Sequence, residues 1–168
     1  MRNLLEHIDT ELLAEEPEDP RYADSPFRHL KKMHAKQKGS RYEKITECVL
    51  GKIGYDVVKP DSTDYDRIID GHKVEIKGST LIKDKNKFSF LQIRPDQDYD
   101  FIYFSMFYPD RLVIMAMTKD KIKENISLKI FKEQHGGEGA DSGTYYYYGN
   151  AESLEKIGAY YIDERAST

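Results

Sequence analysis

Asp66, Glu75 and Lys77 are the residues whose types and spacing could do chemistry together. Asp70-Gly71 lies between two runs containing β-branched residues, 66–69 and 72–77. Asp-Gly in that setting predicts a two-residue hairpin turn, because both residues tolerate positive φ. Such a turn pairs Ile69 with His72, Ile68 with Lys73, Arg67 with Val74 and Asp66 with Glu75. Directly opposed residues share a sheet face, with Cβ atoms about 4.5–5.5 Å apart. Lys77, two residues past Glu75, points to the same face, while Val74 and Ile76 point to the other and into a core. Two carboxylates set opposite each other repel, and a hard divalent cation such as Mg²⁺ relieves the repulsion by taking carboxylate oxygens. A cation held this way polarises a phosphoryl oxygen and acidifies a bound water, and an adjacent ammonium stabilises developing charge. Phosphodiester hydrolysis is the chemistry this set suits. Taken alone, Glu75-x-Lys77 is weak evidence, and an ordinary salt-bridge cluster on an exposed strand is the better reading of it.

The elements that must position this set follow from periodicity. Leu4, Leu5, Ile8, Leu12 and Leu13 are spaced for one face of a helix, which Pro17 and Pro20 end. Ser25-Pro26 marks a second helix start, with Phe27, Leu30 and Met33 on one face. Lys38-Gly39-Ser40 reads as an interruption, and a further helix is expected from Ser40 to Ile53 with Tyr42, Ile45, Val49 and Ile53 inward. From Tyr55 the period changes to two. Strands are expected at 55–59, 66–69, 72–77 and 88–93, then a hairpin of 100–107 and 111–118 over Pro109-Asp110. A helix near 119–124, a strand at 145–148 and a helix at 151–157 complete the chain. The order predicts an α/β fold with a mixed central sheet flanked by helices. Three parts are expected within one globular domain: an N-terminal helical arm (1–37), a core (38–132) and a C-terminal extension packed on it (133–168).

With helix and hairpin in place, residues 38–79 resemble the PD-(D/E)-x-K nuclease superfamily, which includes restriction endonucleases and archaeal Holliday junction resolvases. The matching segments are Lys38-Gly39-Ser40-Arg41-Tyr42-Glu43 opening a helix, Gly54-Tyr55-Asp56-Val57-Val58, then Asp66, then Val74-Glu75-Ile76-Lys77-Gly78-Ser79. Tyr65 stands where the family often has Pro. The resemblance implies a restriction-endonuclease-like fold in which Asp66 and Glu75 ligate Mg²⁺, with Mn²⁺ as substitute. It implies that Lys77 serves catalysis and that Glu43 assists. Gln92, expected to share a strand face with Phe88 and Phe90, resembles a Gln that supports the site in some restriction-type members. Glu47, one turn after Glu43, and Asp64, two residues before Asp66, are the alternatives to the residues named. The expected activity is double-strand cleavage of DNA by a homodimer, with residues 4–13 as candidate dimer surface. The alternatives are a Holliday junction resolvase and a non-catalytic binding module that keeps the fold.

Charge is uneven along the chain. The 168 residues carry a net −4, but residues 1–27 hold eight acids against two bases, which leaves the rest positive. Arg28, Lys31, Lys32, Lys36, Lys38, Arg41 and Lys44 crowd 28–44 against one acid, Glu43. A local basic segment can meet phosphates even in an acidic protein, so Lys31, Lys32, Lys36, Lys38 and Arg41, with Arg94, are the expected DNA contacts. A solvated helix face would look the same. His7, His29, His34, His72 and His135 read as non-catalytic, and Tyr145–Tyr148 as a strand burying alternate rings. The single cysteine, Cys48, cannot make an internal disulfide, and no Cys/His set has zinc spacing. No apolar run approaches the ~18–20 residues of a membrane span. A protein with no membrane association in a reducing cytoplasm is expected.

Overall fold

A computed structural model describes residues 19–134 and 143–162. The helix expected at 4–13, His7, and the glycine-rich loop with His135 lie outside the described residues. Nine strands and four α-helices are described, after a 3-10 turn at Pro20–Tyr22: α1 (Arg28–Lys32), α2 (Ala35–Lys52), β1 (Val57–Val58), β2 (Arg67–Ile69), β3 (His72–Thr80), β4 (Phe88–Ile93), β5 (Phe101–Phe107), β6 (Leu112–Thr118), α3 (Lys119–Ser127), β7 (Lys132–Glu133), β8 (Tyr145–Gly149), α4 (Ala151–Lys156) and β9 (Tyr160–Tyr161). A mixed sheet runs in the order β1-β2-β3-β5-β6-β9. Its β3 and β5 are parallel, and its other neighbours are antiparallel. The expected boundaries at 37/38 and 132/133 fall inside α2 and β7.

The sheet is covered on both faces, which explains why β5 is apolar almost throughout. One face sends Val74, Ile76, Tyr103, Ile114 and Ala116 against Leu50 of α2. The other sends Ile102, Phe104, Met106, Met115 and Met117 against Phe88, Phe90 and Ile93 of β4, with Ile122 of α3 and Leu154 of α4. β4 does not join the central sheet. It pairs with β8, which pairs with β7, in a separate three-stranded sheet, so the fold is α/β with a second small sheet beside the expected one.

Two local readings are corrected by packing. No interruption occurs at Lys38-Gly39-Ser40, because α2 runs unbroken from Ala35 to Lys52. Gly39 lies on an exposed side of the helix. A mid-helix glycine costs about 0.5–1 kcal/mol relative to alanine, and the burial of Tyr42, Thr46 and Leu50 on the opposite side outweighs it. The inward stripe is therefore Tyr42, Thr46 and Leu50, with Ile45, Val49 and Ile53 half-buried beside it. α2 also lies close on β3. A Cβ at Gly78 would fall 2.4 Å from the Cβ of Tyr42, so only glycine lets the helix settle here. The Thr46 and Ser105 hydroxyls, 2.8 Å apart, tie α2 to the neighbouring β5. An N-terminal strap closes the other end. The Tyr22 hydroxyl donates to the Phe107 carbonyl at 2.5 Å and accepts from the Leu81 amide at 2.8 Å.

Candidate active site

The hairpin forms in the expected register, with Ile69 opposite His72, Ile68 opposite Lys73 and Arg67 opposite Val74. Asp70 (φ 48°) and Gly71 (φ 82°) both take the left-handed conformation that a type I′ turn requires. Asp66 stands just before β2. Its amide donates to the Val74 carbonyl at 3.0 Å, and its Oδ2 accepts from the Ile76 amide at 2.7 Å. The side chain is thus anchored across the neighbouring strand. Its charge and hydrogen bonding act on the Glu75 carboxyl. Lys77 Nζ is 3.1 Å from Glu75 Oε1, and the two side chains are only 17 % and 13 % exposed. Burial raises the Glu75 carboxyl from its ordinary value to about 7; the charge and hydrogen bond of Asp66 push the same way, and Lys77 opposes them. Val74 and Ile76 face the other way, into the core under α2.

Glu43 reaches this edge from α2. Burial raises its pKa, as does the charge of Asp66, while Arg67 and Lys77 pull it down. Arg67 points to the α2 face of the hairpin, where Nε lies 2.9 Å from Glu47 and Nη1 3.7 Å from Glu43. Its Nη1 also donates to the Asp66 carbonyl at 2.6 Å. Glu47 is thereby committed to Arg67. Asp64 is exposed, its amide bonded to the Ser62 hydroxyl at 3.1 Å, and the hairpin register that would bring it inward is not adopted. Among the described residues, no group of three or more His, Cys, Asp or Glu side chains is arranged to hold a metal ion by itself. Asp66 and Glu75 nevertheless fit a Mg²⁺ site of the open kind, which uses one or two carboxylates and completes its shell with waters and phosphate oxygens.

No protein-family model and no curated protein sequence matches the chain. The structure is similar to that of a bacterial homing endonuclease, with a TM-score of 0.42 and 18 % sequence identity, over 52 % of this chain and 71 % of that one.

Four of the expected site residues come together: Asp66, Glu75 and Lys77, with Glu43 alongside. Gln92 does not share the face of Phe88 and Phe90. The β4–β8 ladder shifts register between Phe90 and Ile93, and Gln92 sits in that bulge at φ 55°. Phe88, Phe90 and Ile93 are buried while Gln92 is exposed, its amide bonded to Gln134 Oε1 at 2.8 Å. The extra residue in the bulge resets the alternation, and the face-sharing that suggested a supporting role is absent. Lys31 also differs from expectation. It is half-buried, donates to the Leu81 carbonyl, lies 3.7 Å from Asp19 and caps the Tyr22 ring at 5.0 Å. Lys32, Lys36, Arg41 and Arg94 are exposed and Lys38 is half-buried. His29, His34 and His72 are exposed, as read from the sequence. Tyr145 and Tyr147 pack on the core, while Tyr146 and Tyr148 lie against each other with ring centroids 5.0 Å apart.

Two residues escaped the sequence reading. Arg67 carried a usable signal: a charged residue on the core-facing side of a strand requires acids nearby, and Glu43 and Glu47 sit one turn apart on a helix. Tyr99, buried beside Ile102, carried none.

Proposed function

We propose that this chain is a divalent-metal-dependent endonuclease of the restriction type, hydrolysing phosphodiester bonds in double-stranded DNA. The observation that carries this reading is Glu75 paired with Lys77 on β3, with Asp66 anchored to the same strand through the Ile76 amide. Two acids meet one cation in a half-buried place, and the Glu75 carboxyl is raised to about 7. Added positive charge stabilises such an arrangement. Mg²⁺ or Mn²⁺ held by Asp66 and Glu75 would supply Lewis acidity toward a phosphoryl oxygen and a more acidic water. Lys77 gives one N–H to Glu75 and has others to offer a phosphate oxygen or the attacking water. Glu43, 3.7 Å from Arg67 and under the charge of Asp66 and Lys77, would assist by holding that water. The exposed cations Lys32, Lys36, Arg41 and Arg94 serve the phosphate backbone, with half-buried Lys38 beside them. Lys31 is occupied within the fold.

One chain holds one such set. Cutting both antiparallel strands takes a second copy, and a two-fold homodimer supplies it with matching polarity while each subunit reads half of a palindrome. Among the described residues no helix is long and apolar enough to cross a membrane. The test is incubation with supercoiled plasmid and with a four-way junction, with Mg²⁺ or with excess chelator, followed by mapping of the ends. Linear plasmid that requires Mg²⁺, with a light-scattering mass of two chains, is the expected result. Cleavage that survives the chelator overturns the metal site. Cleavage confined to the junction replaces the restriction reading with a resolvase.

A further inference from the structure

The turn between β3 and β4 carries Lys83, Lys85 and Lys87, all exposed, with Asp84 as its single acid. Exposed Lys73, Lys121 and Lys156 pair with Asp98, Glu124 and Glu152 respectively. The turn lysines make no salt bridge among the described residues. Their backbone is nevertheless fixed. The Ile82 amide donates to the Lys87 carbonyl at 2.8 Å, and the Lys85 amide to the Ile82 carbonyl at 3.0 Å. Arg21, itself bound to Asp19, donates to the Lys85 carbonyl at 2.7 Å and to the Ile82 carbonyl at 2.9 Å. Asn150 Nδ2 donates to the Asn86 carbonyl at 3.2 Å. At the base of the turn the Leu81 amide donates to the Tyr22 hydroxyl, and the Leu81 carbonyl accepts from Lys31.

The donor surface continues across the small sheet. Phe88, Phe90 and Tyr147 pack on the core, so Ser89, Tyr146 and Tyr148 take the outward face of β4 and β8. Ser89 is registered with Tyr148, and Tyr146 with Lys132. Tyr148 is 50 % exposed, and Lys132 is exposed as well. Ammonium and phenol groups are both phosphate donors. Lysines crowded on one turn repel each other, and a polyanion relieves that repulsion. Because the backbone is already held, little ordering cost remains to be met on binding.

We propose that the β3–β4 turn, continued by Tyr148, Tyr146 and Lys132, is a second contact for the phosphate backbone of double-stranded DNA, apart from the cations of residues 28–44. The proposal rests on the DNA reading above. β3 carries Glu75 and Lys77 and leads directly into the turn. Lys83 follows Lys77 by six residues. At about 3.3 Å per residue it lies no more than about 20 Å away, the rise of about six base pairs. A duplex with one phosphate at Lys77 therefore meets the turn with its flanking backbone. Such contacts hold and orient the duplex without reading its bases.

The test measures binding to a short duplex of mixed sequence over a salt series, in excess chelator to prevent cutting, and kcat and KM for cleavage with Mg²⁺. One variant replaces Lys83, Lys85 and Lys87 with Gln, and a second replaces them with Arg. A third carries Lys52→Gln, Lys123→Gln and Lys129→Gln, an equal loss of charge from exposed lysines elsewhere. The Gln turn variant is expected to flatten the slope of log affinity against log salt by about 2–3, and to raise KM while keeping kcat. The Arg variant and the charge-matched control should keep the wild-type slope. A wild-type slope in the Gln turn variant overturns the proposal and leaves the nuclease reading standing. Equal flattening in the control also overturns it, since net charge then accounts for the effect. So does a flattened slope in the Arg variant, which would assign the effect to the turn's shape. A wild type that neither binds nor cuts the duplex removes the DNA reading itself and this proposal with it.

Discussion

The β2–β3 hairpin carries two charged clusters of the same make-up, two acids and one base, on its opposite faces. On the α2 side Arg67 meets Glu43 and Glu47; on the other side Lys77 meets Glu75 beside Asp66. Their electrostatic states differ. A guanidinium presents five donors in a rigid fork, so one Arg67 reaches Glu47, Glu43 and the Asp66 carbonyl together. Its acids stand on a helix, their side chains 30 % and 38 % exposed; burial still raises Glu43, and Arg67 opposes the shift. Lys77 is a point charge, and Glu75 lies on β3 with Asp66 just before β2. Burial raises Glu75 to about 7, Asp66 adds to the shift, and Lys77 only partly opposes it. The contrast teaches that composition does not distinguish an ion-pair cluster that stabilises from one that awaits a cation. What distinguishes them is donor number and burial.

The contrast breaks most sharply in activity. Asp66→Asn or Glu75→Gln should abolish Mg²⁺-dependent DNA cleavage. Lys77→Ala should lower kcat by about 10²–10³-fold, the scale of a lost transition-state donor, and leave DNA affinity in a filter-binding assay nearly unchanged. Equal losses of affinity and rate in Lys77→Ala would make the residue a binding group.

Stability should move in opposite directions on the two faces. Arg67→Ala leaves Glu43 and Glu47 without their cation and is expected to destabilise by about 1–3 kcal/mol in urea unfolding, below the range for fully buried pairs because both acids are part-exposed. Glu75→Gln, measured without metal, should leave the unfolding midpoint unchanged or raise it. A large loss from Glu75→Gln would mean that its cluster, too, is a structural ion pair.

The basic segment sharpens the comparison on DNA. Alanine at Lys32, Lys36 and Arg41 together should flatten the salt dependence of binding, by about one phosphate contact per residue, with little effect on melting. Lys31→Ala should do the reverse, because it removes contacts to Leu81, Asp19 and Tyr22. A triple variant with the wild-type salt slope would reduce the segment to a solvated helix face.

A third charged cluster, Asp19 with Arg21, supplies the pH test. The side-chain hydrogen bond from Arg21, with added pull from its charge and that of Lys31, lowers the Asp19 carboxyl from its ordinary value to about 2 despite its burial. Its folded pKa lies below the unfolded one, near 3.8. The pair therefore contributes stability in full above that pH and loses it as pH falls toward 2. Thermal melting from pH 5 to pH 2 should show a shallower decline in Asp19→Asn than in wild type. Parallel curves would place the acid sensitivity elsewhere.

Residues 67–74 determined their own register and facing, because a two-residue turn and period-two alternation are local rules; the expected pairing of Asp66 with Glu75 lies beyond the observed ladder. The alternation also places Arg67 beneath α2, though its partners become evident only when helix and hairpin are considered together. The ends of β4, β5, β6 and β8 were legible for the same local reason. Tertiary structure decided the rest. β4 leaves the central sheet to pair with β8 more than fifty residues later, and the bulge at Leu91–Gln92 comes with that pairing. Gly39 stays helical because burial on the far side of α2 exceeds its propensity penalty. Lys31 turns from a surface cation into a strap because Leu81 lies 50 residues away in sequence and beside it in space. Tyr99 shows the same division: its type follows from the sequence, but that its hydroxyl has no partner among the described residues emerges only from the tertiary structure. Local rules govern what neighbours in sequence can do. Burial and long-range pairing depend on the whole chain, and they determine which of these side chains face water, one another or a ligand.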